Sequence, residues 1–219
     1  MKKQLAIIAL AALGASAYAQ DSYVGVGLPG LFTLGYAHPM SASWGLRADY
    51  AGGINVSKDG NQDGVNATGS IKASRLGAYA DWYPFGGGFR LVGGATFNDI
   101  KAELNAVGSG TATINGQPVT MNGETFNVAI KYPSTTPYVG IGYGHHLSDS
   151  KGIGFYADLG VMIGSFTADT TTSLVGKKFQ DGVTTIKQSD IDAQTQKMRD
   201  SLGSLTVLPS ASIGLLYRY

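Results

Sequence analysis

The chain has no cysteine among its 219 residues. That excludes disulfides, thiol catalysis and thiolate-held metals, and it separates the chain from small secreted scaffolds that depend on cross-links. Charge is also scarce: Asp, Glu, Lys and Arg make up 14% of the chain, against about 25% in water-soluble domains. The formal net charge is +1, and −1 without Lys2 and Lys3, so there is no basic surface for nucleic acid. No run reaches the roughly 18 apolar residues of a helical membrane span. Phosphate-cradling patterns of the G-x-G-x-x-G or G-K-[ST] kind are missing, and no solenoid-length repeat is present. There are three histidines in all. No cofactor and no metal site is expected.

What is present begins with an address. Met1-Lys2-Lys3 precedes an apolar run, Leu5–Ala12, and then Ala17-Tyr18-Ala19. A positive start, a short hydrophobic stretch and an A-x-A site predict a signal peptide over 1–19. Residues 20–219 then form one domain. Glycine (32) and tyrosine (12) are abundant in the chain. At the far end, Val207, Pro209, Ala211, Ile213, Leu215, Tyr217 and Tyr219 alternate with a mostly small or polar set that includes Ser210, Ser212, Gly214 and Arg218. A period of two predicts a strand with one greasy face.

The same alternation recurs along the chain and predicts eight strands of the type that cross a membrane as a closed antiparallel barrel. They fall near Ser22–Leu28, Leu31–His38, Ala42–Gly52, Ser70–Pro84, Phe89–Asn98, Thr136–Gly144, Ile153–Phe166 and Val207–Tyr219. Pro29-Gly30, His38–Ser41, Gly86–Gly88 and Ser148–Gly152 read as short turns. Three long connections remain: a polar stretch over 53–69, Asp99–Thr135 with an Asn115-Gly116 hairpin turn, and Thr167–Thr206. All three fall on one side, which is expected to be extracellular. In the last of them, Asp190–Leu202 predicts a short helix, capped by Ser189 and stopped by Gly203, with Ile191, Thr195, Met198 and Leu202 on one face.

Face assignment turns this pattern into chemistry. Trp44, Trp82, Tyr143, Tyr217 and Tyr219 sit near strand ends on the lipid set, where they are expected to form the aromatic girdles found at both interfaces of such barrels. Every charged residue of the strand cores falls on the other set: Arg47, Asp49, Arg75, Asp81, Arg90 and Asp158, with Arg218 at the end. A basic residue on the lipid face at mid-depth costs about 2–4 kcal/mol. Three Arg and three Asp inside a narrow lumen are expected to pair, in a network that ties the third, fourth, fifth and seventh predicted strands together. An eight-stranded barrel is just wide enough for side chains to fill. The network therefore reads first as a plug and second as the lining of a narrow polar path.

In these features the chain resembles small bacterial outer-membrane barrels of the OmpA-transmembrane, OmpX and OmpW type. The resemblance implies localisation in the outer membrane of a Gram-negative bacterium, among outer-membrane lipid and lipopolysaccharide. It makes Ile213, Leu215, Tyr217 and Tyr219 the signal read by the barrel-assembly machinery. The implied role is non-enzymatic: structural or surface contact through the extracellular loops with an extracellular ligand. The alternative is a porin-like narrow channel for small or hydrophobic solutes. The His146-Leu147-Ser148 element is similar to the His–Ser pair of outer-membrane lipid A deacylases, which implies a third and lesser reading, a lipid-modifying outer-membrane enzyme; no Glu follows the element, so no catalytic residue is assigned. His145 and His146, read as neighbours on a strand, point to opposite faces and make a poor metal site.

Overall fold

A computed structural model describes residues 20–62, 65–146 and 151–219. The predicted signal peptide and Ser148 of the His–Ser element lie outside the described residues. Ten strands form: β1 Asp21–Leu28, β2 Phe32–Pro39, β3 Trp44–Gln62, β4 Val65–Trp82, β5 Phe89–Ile114, β6 Gln117–Lys131, β7 Thr135–Tyr143, β8 Gly152–Ile163, β9 Thr167–Thr172 and β10 Val207–Arg218, with one helix, α1 Gln188–Gly203, between the last two. All strand pairings are antiparallel.

Eight of the ten strands form a ring. The order runs β4-β3-β2-β1-β10-β8-β7-β5, and the pairing of β4 with β5 returns it to its start. The seam between the first and last strands runs from Asp21↔Arg218 to Leu28↔Ala211. Leu28 and Phe32 are joined by a tight turn, in which Gly30 takes a φ of 117° that a side chain would resist. Val24, Leu46, Leu76, Leu91, Ile141, Leu159 and Ile213 are exposed on the outside of the ring, while Tyr23, Arg47, Tyr79, Arg90, Tyr138, Tyr156 and Asp158 are buried within it. The dyad pattern is thus an inside–outside pattern. Among the described residues no helix is long and apolar enough to cross a membrane.

The aromatic residues of the outer face lie in two bands. Trp44, Trp82, Tyr143, Tyr217 and Tyr219, expected at both ends, are all exposed at the end that carries the turns after β2 and β4. Trp44 and Trp82 face each other across the β3–β4 register and stack at 6.2 Å. The opposite rim is marked instead by Phe32, Tyr50 and Phe97. On β5, Phe89 to Phe97 covers about 26 Å of strand.

Two of the stretches read as loops are sheet. The polar stretch 53–69 continues β3 and β4 as one hairpin, paired from Ile54↔Ala73 to Gln62↔Val65 above an irregularity at Ala51. Likewise β5 runs on through Asp99 to Ile114 and pairs with β6, turning at Asn115-Gly116. Strand β9, which lies in the third predicted loop, adds to the edge of β6. Exposed Asn, Asp and Gly read as turn residues, yet here each finds a backbone partner on a neighbouring strand, and tertiary pairing overrides local preference.

This extension curls over. About 40 Å of extended strand separates Ala102 from the tip of the β5–β6 hairpin, but the tip returns to α1. The Asn115 N–H donates to Gln194 Oε1 at 3.2 Å, and Lys197 Nζ donates to Asn115 Oδ1 at 2.7 Å. The register slips at Gly108, where φ is 146°, opposite Gly123, where φ is 90°. An extra residue there bends and twists the ribbon. Inside the curl lies a second hydrophobic core: Ile114, Val119, Met121, Leu174, Phe179, Ile186 and Ile191.

Candidate functional site

The inward charges of the ring meet in one cluster. Arg47 reaches from β3 to two carboxylates: Nε donates to Asp81 Oδ2 at 3.1 Å, and Nη1 donates to Asp158 Oδ2 at 3.2 Å. Arg90, wholly buried on β5, donates from Nη2 to Asp158 Oδ1 at 2.6 Å and from Nη1 to the Gly144 carbonyl at 2.7 Å. Arg75 Nη2 lies 3.7 Å from Asp49 Oδ2, and Arg75 Nη1 donates to the Tyr79 hydroxyl. The six charges pair across β3, β4, β5 and β8, the third, fourth, fifth and seventh strands of the sequence reading. Opposite charges are equal in number, so the cluster is formally neutral.

Tyrosines complete the cluster. Tyr79 donates to Asp49 Oδ1 at 3.2 Å, and Tyr23 donates to Asp49 Oδ2 at 3.3 Å. The Arg47 guanidinium lies 4.6 Å from the centre of the Tyr79 ring, close enough for a cation–π contact. These rings need room on the facing strand, and glycine supplies it. A Cβ on Gly35 would sit 2.1 Å from Tyr23 Cζ. One layer further toward the extension, Tyr79, Val92, Tyr132, Tyr138 and Met162 form an apolar layer. Most donors and acceptors in this interior are spent on one another, with Arg75 Nε and Arg90 Nε left without a hydrogen bond, so it can brace strands, and a through-going polar path would have to displace these groups.

A second ionic group seals the turn end. Arg218 forks onto Asp21, Nε to Oδ1 at 2.8 Å and Nη2 to Oδ2 at 3.0 Å, across the β1–β10 seam. His145 joins it, with Nδ1 3.1 Å from Asp21 Oδ2, and its carbonyl accepts from the Tyr83 hydroxyl at 2.7 Å. The strand reading of His145 and His146 is corrected here. β7 stops at Tyr143; Gly144 and His145 take φ values of 98° and 57°, and His145 folds wholly inside against Tyr23 and Tyr156. Burial pushes the His145 ring down to about 4, opposed by its bond to Asp21. The neutral ring donates Nδ1–H to the carboxylate, and its buried Nε2 finds no hydrogen-bond partner among the described residues. Sequence reasoning missed Asp21 and His145; the signal for Asp21 was its place opposite Arg218 once the seam is drawn.

At the other end, the extension is latched by polar contacts. Arg199 on α1 donates to the Ala168 carbonyl at 2.6 Å and to Asp169 at 2.9 Å. Lys177 lies 2.8 Å from Glu124, and that pairing with the Asn122 N–H holds the Glu124 carboxyl down at about 2. The expected cap of the helix is also corrected. The cap is Lys187, two residues before Ser189, and the helix runs through Gly203 to a cap at Ser204; the Lys187 N–H donates to Asp190 Oδ2 at 2.9 Å, so the carboxylate at the third helical position closes the first end. Of the predicted helix face, Ile191 and Thr195 are buried, while Met198 and Leu202 flank a shallow hollow beside Ile130.

Among the described residues, no group of three or more His, Asp or Glu side chains is placed to hold a metal. Ile213, Leu215, Tyr217 and Tyr219, the predicted assembly signal, form an exposed row on the outer face of β10 and the end of the chain.

The structure is therefore of the all-β class: an antiparallel sheet with an eight-strand ring, an ionic core and a folded extension at one rim. No family model matches the chain, and no curated protein matches it. Solved structures do. Acinetobacter baumannii CarO2 superimposes with a TM-score of 0.58 at 19% identity, covering 94% of this chain and 100% of that one. Acinetobacter baumannii CarO gives 0.55 at 18%, covering 92% and 98%. The likeness is one of fold.

Proposed function

We propose that the chain is an integral outer-membrane β-barrel protein of a Gram-negative bacterium, a non-enzymatic surface protein that carries a rigid extracellular platform for contact with an external ligand. One observation carries this reading: the ring is inverted, with its ionised groups paired inside and its apolar side chains bare outside. A water-exposed fold gains nothing from a bare apolar belt between aromatic rims, whereas a bilayer is crossed by tilted strands of about nine to eleven residues, the length of β5 from Phe89 to Phe97. The fold shared with the CarO structures agrees with this placement. In it the extension, with its own hydrophobic core, stands outside the cell, and the exposed row on β10 is what the barrel-assembly machinery reads.

The filled interior supports a non-conducting barrel over a narrow channel for small or hydrophobic solutes. Planar-bilayer recording of the purified protein tests both. Silent membranes with correctly inserted protein are the expected result. Reproducible single channels that change on Arg47→Ala or Arg90→Ala would replace the platform reading with transport. Protease shaving of intact cells tests the placement: cleavage within 99–131 and 173–187, with the ring protected, is expected.

A further inference from the structure

The outer face of the sheet changes character abruptly above the Phe32–Tyr50–Phe97 rim. On β4 the outward positions after Leu76 are Ser74 and Lys72; on β5 those after Phe97 are Asp99, Lys101 and Glu103. The register then places three lysines side by side. Lys72 pairs with Lys101, and Lys101 pairs with Lys131, so three adjacent strands present an ammonium in one row. The row is bounded by Asn55 opposite Lys72 and Thr167 opposite Lys131, both polar.

Like charges directly opposite one another on neighbouring strands destabilise a sheet. Neighbouring carboxylates offset only part of this row. Lys72 lies 2.5 Å from Asp99 and Lys101 lies 3.0 Å from Glu103, each pair substantially exposed and weak for that reason. Lys131 makes no ion pair among the described residues and is exposed. The row spans about 10 Å across three strands. It sits about 13 Å along the strands beyond the last apolar residues, or roughly 9 Å in height at a 45° tilt, which is headgroup depth for a bilayer.

We propose that Lys72, Lys101 and Lys131 form a binding ridge for the phosphate groups of an amphiphile in the surrounding leaflet, a phosphorylated glycolipid whose acyl chains lie against the apolar belt below. This rests on the outer-membrane reading. The apolar belt holds the chains, the ammonium row meets the phosphates, and Asn55 and Thr167 offer hydrogen bonds to the sugar at either side. An anion on the row relieves the repulsion between the lysines, so lipid and sheet stabilise each other.

Native mass spectrometry of the detergent-purified protein tests this, with bisphosphorylated lipid A, its dephosphorylated form, phosphatidylglycerol and inorganic phosphate as separate probes. Bisphosphorylated lipid A is expected to bind at least ten-fold more tightly than its dephosphorylated form, and inorganic phosphate not detectably. The K72Q/K101Q/K131Q protein is expected to lose that ten-fold preference. A control that removes equal charge from elsewhere on the extension, K58Q/K178Q/K187Q, is expected to keep it. Unchanged binding in the row variant, or equal loss in the control, overturns the ridge. Tight binding of inorganic phosphate, or an equal preference for phosphatidylglycerol, overturns the glycolipid as its ligand. Heat-modifiability on gels verifies that each variant is folded. Fractionation of cells addresses the outer-membrane reading separately, because a variant found in that membrane without its lipid preference counts against the ridge alone.

Discussion

Arg47 and Asp158 stand 111 positions apart in the chain and meet at 3.2 Å inside the ring. Asp158 holds a second guanidinium, that of Arg90, at 2.6 Å. Removing this one carboxylate therefore leaves two buried cations short of a partner. Asp158→Ala is expected to destabilise the protein by about 3–5 kcal/mol, the cost of breaking a buried pair, read as a lower urea midpoint for unfolding in lipid. Asp81→Ala is expected to act in the same direction, since Arg47 and Arg90 both lie against it. A midpoint unchanged in both variants would show that the cluster is not holding the strands.

The turn-end seal is sensitive to acid. His145 titrates near 6.5 when unfolded and at about 4 in the fold, so between these values the unfolded chain binds a proton that the folded chain does not. The linked stability is fully present above about pH 6.5 and is lost progressively as pH falls to about 4. Unfolding midpoints measured from pH 7 to pH 4 are expected to fall. His145→Gln, which has no titrating ring, is expected to flatten that part of the profile; an equally steep profile in the variant would place the titration elsewhere.

Gly35 has no freedom to grow. The Tyr23 ring occupies the place of its side chain, and Tyr23 in turn bonds Asp49 and accepts from Arg47 at 3.3 Å. Gly35→Val is expected to expel the ring and with it part of the ionic cluster. Loss of heat-modifiability or poor membrane insertion would report this. Gly93→Val, at a ring glycine with open space beside it, is expected to be tolerated.

The extension has its own core and can be weakened alone. Met121→Ala and Ile186→Ala each remove a fully buried side chain from it, and such truncations cost about 2–5 kcal/mol. Faster proteolysis within 173–187, with an unchanged unfolding midpoint for the ring, is the expected result. A matching fall in the ring's midpoint would show that the two parts fold as one unit.

Much of the ring was legible because its two faces differ so sharply. Strands such as β8 carry Phe155, Ala157 and Leu159 on one face and Tyr156 and Asp158 on the other, and no loop keeps that alternation. The Asn115-Gly116 turn was legible from its own backbone chemistry, with Asn115 at a φ of 50° and Gly116 at 83°. The extension was not, because β3 beyond Ile54 and β5 beyond Asp99 are wet on the outward face and carry turn-forming residues. Strand there is decided by a partner that local pattern does not name. The same applies to His145: nothing local separates a strand-end histidine from one folded into the interior. The tyrosine bonds escaped for a related reason, since they follow from which glycine faces which ring across the register.

The position of α1 in the chain, just before β10, has a bearing on how such a molecule is made. The terminal strand zips against β1 from Leu28 to Asp21, while everything from Thr167 to Thr206 ends up beyond the far rim. If the chain sits in the outer membrane as proposed, the segment between the last two wall strands has to cross before the wall is sealed behind it. Closure and outward display would then be one event, with the Asp21–Arg218 fork fastening the seam.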